Sequence, residues 1–158
     1  MEELYSAYLT LLDELSADME NLAALAREKC TVVRKDDLTA LNDVMKREQV
    51  LGLSVRGKEQ KRQKLSLQLG LDGTRLAALP RNVPAALVPR ARETVEQLQR
   101  SYGLYQEAAQ VARTTLEINL HEIEKILAAH GVDPAQGAGL RDEAPPEPPK
   151  NMKTDFRA

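Results

Sequence analysis

From Ala91 to Ile126, side chains return at alternating steps of four and three: Ala91, Val95, Leu98, Tyr102, Tyr105, Ala109, Ala112, Leu116, Asn119, Ile123 and Ile126. Only Asn119 interrupts their apolar character. Such a spacing puts every member on one face of an α-helix, and five heptads of it specify a helix that lies along another helix. If residues 85 to 130 form one helix, it is about 69 Å long at 1.5 Å per residue. That is too long for a compact globule of 158 residues, so the chain is expected to be elongated.

Two more helical blocks precede this one. Leu4, Tyr8, Leu11, Leu15, Met19, Leu22 and Ala26 repeat at the same steps, with Leu12 and Leu25 widening the stripe. The pattern weakens at Thr31-Val32-Val33, and Lys35-Asp36-Asp37 then offers an aspartate as N-cap for a helix starting near Leu38. Leu38, Leu41, Val44, Met45, Leu51 and Val55 give that helix an apolar face. From Arg56 to Lys64, nine residues hold five bases, one acid and no apolar side chain, a stretch expected to bury little. Leu65, Leu67 and Leu69 resume the pattern before Gly70 and Gly73 stop it.

Pro80, Pro84 and Pro89 mark a connection over 74–89 with room for a helical turn at Arg75 to Leu79. Proline near the start of the third helix costs no hydrogen bond. Gly131 and Pro134 end that helix. Beyond it, Gly137, Gly139 and the run Ala144-Pro145-Pro146-Glu147-Pro148-Pro149 can neither continue a helix nor bury much. The expected organisation is an all-α domain over 1–131, with helices at about 2–33, 37–69 and 85–130, and a Pro-rich mobile tail over 132–158. The fold class is an elongated antiparallel three-helix bundle with coiled-coil character.

Composition fits a thin seam: 42% of residues are hydrophobic but only 3% aromatic. The net charge of −2 is unevenly spread. Residues 1 to 30 carry seven acids against two bases, and residues 31 to 70 carry nine bases against five acids. Two oppositely charged helices folded back on each other can pair along their length, so charge can help set their register.

A search for catalytic constellations finds none. The residue four after His121 in His121-Glu122 is Lys125, which breaks the zinc-protease motif. Ile118 and Leu127, three before His121 and His130, break the di-iron pattern. No phosphate-binding glycine loop is present, and Cys30, the single cysteine, has no histidine near it in sequence. The chain is read as a non-enzyme with no cofactor and no metal. The absence of an apolar run of about 18 residues and the acidic start Met1-Glu2-Glu3 favour a cytoplasmic protein.

Arg56 to Lys64 is the one candidate for nucleic acid. A pI near 5.8, the lack of interleaved aromatics and the acidic first block favour instead a solvated or internally paired face, hence no nucleic-acid partner. The end of the third block is more informative. Ile118, Leu120, Ile123, Ile126 and Leu127 crowd apolar groups onto more than one face, a pattern that calls for a partner helix or a second copy.

The stretch Arg34-Lys35-Asp36-Asp37-Leu38-Thr39-Ala40-Leu41, followed by Met45-Lys46-Arg47-Glu48, a highly charged helix and Leu69-Gly70-Leu71, resembles the FlgN-type flagellar export chaperones over about residues 4 to 130. The resemblance implies a cytoplasmic, non-catalytic chaperone. It would bind the C-terminal amphipathic helix of hook-filament junction proteins, prevent premature assembly and deliver them to the export gate, meeting the membrane only through the export apparatus. Client contacts are then expected at Leu116, Leu120, Ile123, Ile126 and Leu127, with Tyr102 and Tyr105 beside them. Phe156 is the candidate aromatic for the gate. The competing readings are a structural homodimeric coiled coil or adaptor and, less favoured, a nucleic-acid-binding module.

Overall fold

The computed structural model describes residues 1–131. Three long helices make up most of it: α1 (Glu2–Arg34), α2 (Leu38–Gln68) and α3 (Val88–Ala129). Two short 3-10 segments, Leu76–Arg81 and Ala85–Leu87, lead into α3, which carries Pro89 in its first turn. The proline lacks an N–H that would be orphaned there anyway. α3 runs unbroken through Gly103 for 42 residues, about 63 Å.

Pairs between helices give their directions. Asp18 meets Lys58 and Glu28 meets Arg47, so α2 runs antiparallel to α1. Asp13 accepts from Thr94, Glu20 accepts from Ser101 and the Val33 carbonyl accepts from Asn119, so α3 runs parallel to α1. Consecutive helices are antiparallel, and α1 lies between the other two. The most extensive interface joins α1 to α3, the two helices pointing the same way.

The core has two parts. Leu9, Leu12, Leu15 and Met19 of α1 are completely buried among Val55 of α2 and Ala91, Val95 and Leu98 of α3, with Leu69, Leu71, Leu76 and Leu79 closing the end. Each such leucine contributes about 1.5–3 kcal/mol through burial. Farther along, Ala23, Ala26 and Cys30 face Ala108 and Ala112, where small side chains stand in for the missing aromatics. Tyr105 packs against both parts.

Both ends of α2 show why the chain turns where it does. α1 closes with Asp37 N–H donating to Val32 O and Asp36 N–H to Val33 O, which places Asp36 in the left-handed region at φ 54°. The next residue, Asp37, is the N-cap of α2, its carboxylate accepting from Ala40 N–H at 3.0 Å. α2 ends in the same pattern: Leu71 N–H donates to Ser66 O and Gly70 N–H to Leu67 O. Here a glycine takes the positive φ of 67°, and buried Leu71 anchors the chain in the core. Asp37→Ala removes one cap and is expected to lower stability by about 1 kcal/mol, measured by urea unfolding, with Asp37→Asn close to wild type.

The charge asymmetry is used across α1 and α2. Lys58 Nζ lies 2.8 Å from the Asp18 carboxylate, Arg47 pairs with Glu28, and Lys29 and Glu48 add a pair of reversed sense. The basic run is not the uniformly shallow surface its composition suggests. Glu59, its one acid, is only 6% exposed. It holds Arg62 in a two-point contact at 2.6 and 2.8 Å, while Arg62 also donates to the Tyr8 hydroxyl. Burial works against the Arg62 charge, and the bonds to Glu59 more than offset it, leaving the guanidinium pKa above its ordinary value.

Candidate functional site: the free end of α3

The register between α1 and α3 decides where α3 loses its neighbour. Thr94 pairs with Asp13 and Ser101 with Glu20, each 81 positions apart. Carried forward, the same offset brings the end of α1 level with residues just short of Asn119. There Asn119 Nδ2 donates to the Val33 carbonyl, one of the last of α1, at 3.3 Å. The polar interruption in an otherwise apolar series therefore sits where α1 stops and its carbonyls need donors. Beyond it α3 continues for ten residues, to Ala129, about three turns.

No residue of α3 after Ala112 is buried, yet the apolar series goes on. Leu116 and Ile123 extend the seven-residue series of Val95, Tyr102 and Ala109; Ile126 extends that of Ala91, Leu98, Tyr105 and Ala112. A third series changes character. Arg92, Gln99, Gln106 and Arg113 are polar, and the next two members are Leu120 and Leu127. The apolar face thus becomes wider where its neighbour ends. Leu116 is 36% exposed, Leu120 48%, Ile123 47% and Ile126 59%, while Leu127 is half-buried. Such a patch on a helix end suits docking of another helix by its apolar face.

Tyr102 and Tyr105 occupy a different place. Both are half-buried against the core, and burial, followed by the nearby Glu48 charge, raises the pKa of the Tyr105 phenol above the ordinary tyrosine range. The structure groups Leu116, Leu120, Ile123, Ile126 and Leu127 at one end and leaves the two tyrosines in the body. Phe156 lies outside the described residues, as do the other expectations for 132–158. A further apolar series went unnoticed in the sequence: Leu104, Val111 and Ile118, seven apart on another face of α3, all exposed. Its signal was the strict heptad step, masked by the stronger one beside it.

Among the described residues, no three metal-binding side chains gather and no helix is long and apolar enough to cross a membrane. A family model described as FlgN protein matches residues 1–138, which takes in all three helices. The chain belongs to the FlgN family. FlgN proteins are flagellar export chaperones rather than a family of enzymes, and that general role of handling export substrates is the frame for the free end of α3. No curated protein and no solved structure significantly matches this FlgN chain.

Proposed function

We propose that the protein is a cytoplasmic chaperone that binds the C-terminal amphipathic helix of hook-filament junction proteins, keeps them from assembling early and delivers them to the export gate. The observation that supports this is the widening of the apolar face of α3 beyond Asn119. The client helix takes the position alongside α3 that α1 vacates, with Leu116, Leu120, Ile123, Ile126 and Leu127 as its anchors. A client kept on this surface cannot use its own apolar stripe for assembly. Tyr102 and Tyr105 are reached only at the margin of the site, and Phe156 is the candidate contact for the gate.

Calorimetric titration with the C-terminal helical segment of a junction protein from the same genome tests this. One-to-one binding is expected, with affinity falling about 100-fold or more in Leu120→Asp/Ile123→Asp because two desolvated anchors are lost. The variant's thermal midpoint should match wild type, since neither side chain is buried. Binding unchanged by the double substitution overturns the site. Absent binding together with a dimer that the same substitutions dissociate would show that a second copy, not a client, covers this end.

A further inference from the structure

Leu104, Val111 and Ile118 do more than break the surface. Leu104 and Val111 line an open groove of about 390 Å³ between α3 and α1, together with Ala108 and Cys30 on its floor and Arg27 and Arg34 on its rim. None of the lining residues comes from α2. Leu104 is 43% exposed, Val111 52% and Ile118, one heptad beyond the groove, 57%, so the groove and the helix surface just past it offer three apolar anchors, one per heptad, to a partner helix.

The charge on the rim has a direction. The heptad series of α1 that faces α3 begins with Asp13 and Glu20, which accept from Thr94 and Ser101. It continues with Arg27 and Arg34, both exposed. Among the described residues, neither arginine has a carboxylate within ion-pair distance. Glu107 lies on the α3 wall. One rim therefore presents two unpaired cations seven residues apart, in register with anchors also seven apart. We propose that this groove is a second docking site, separate from the free end of α3, and that it takes an amphipathic helix of a partner protein carrying acidic residues at heptad spacing along one edge of its apolar stripe. The partner's acids lie over Arg27 and Arg34 and its leucines over Leu104, Val111 and Ile118. A chaperone with both surfaces can hold two helices at once.

Fluorescence anisotropy with the full chain tests this, using two labelled synthetic amphipathic peptides of about 18 residues, leucines at steps of four and three, one edge bearing either glutamates or lysines. The glutamate peptide is expected to bind about tenfold more tightly than the lysine peptide, the scale of two exposed charge pairs made or reversed. Arg27→Glu/Arg34→Glu should invert that preference, and Val111→Asp should abolish binding of both. All titrations are run in the Leu120→Asp/Ile123→Asp background, which blocks the free end of α3, so peptide binding reports the groove alone whether or not the client reading holds. Every altered side chain is exposed, and circular dichroism confirms that each variant is folded. The proposal is overturned if neither peptide binds in that background, if the preference survives charge reversal, or if Val111→Asp leaves binding intact.

Discussion

Leu98→Ala is expected to destabilise the protein by about 3 kcal/mol in urea unfolding, whereas Ile126→Ala should change stability by less than about 0.5 kcal/mol. The two positions lie four heptads apart on the same line of one helix. Leu98 is completely buried in the core that α3 shares with α1, and its truncation leaves a cavity that long packed helices cannot easily collapse. Ile126 stands beyond the end of α1 with more than half its surface in water. Equal losses at the two sites would mean that the end of α3 is packed in solution, against a second copy or another part of the chain. The pair thus reads out, by stability alone, where the core stops.

The second large effect is expected at Glu59. Glu59→Ala removes the carboxylate that holds Arg62 by two contacts, and with it the charge that offsets burial of the guanidinium. Removing one partner of a buried ion pair costs about 3–5 kcal/mol, and the lower figure fits here because the Arg62 side chain keeps other partners and some access to water. Replacing both members, Glu59→Met with Arg62→Leu, is expected to recover most of that loss, since an apolar pair carries no desolvation cost. Chemical denaturation of the wild type and the two variants distinguishes the cases. If the double variant is as unstable as the single one, the pair stabilises the fold through more than its own charge balance.

Much of the fold was legible because its signals are periodic and local. The two apolar stripes, the aspartate before Leu38 and the glycine after Leu69 each announce a helix or its end through a few neighbouring residues. The pairing of an acidic first helix with a basic second one was also legible, and Asp18 with Lys58 and Glu28 with Arg47 show how it is realised. The burial of Glu59 was not legible. A nine-residue stretch without apolar groups looks solvated, and what encloses it comes from elsewhere in the chain, including Tyr8 of α1 and the segment over 71–79. Nor does the stripe of α3 reveal where its neighbour ends: Leu98 and Ile126 belong to one pattern, and only the register between α1 and α3 separates core from surface. Asn119 carried a hint, since a polar residue in the seam needs a specific partner.

The central place of α1 bears on how the protein comes off the ribosome. Its main contacts are to a helix 81 positions later, at Thr94 for Asp13 and Ser101 for Glu20. α2 emerges first and can fold back on one side of α1, stapled by Lys58 and Arg47. The other side must wait until synthesis has passed Ala112, so for most of translation the nascent chain displays an apolar stripe of its own. A member of a flagellar export chaperone family thus passes, while being made, through a stage in which its own apolar face is uncovered.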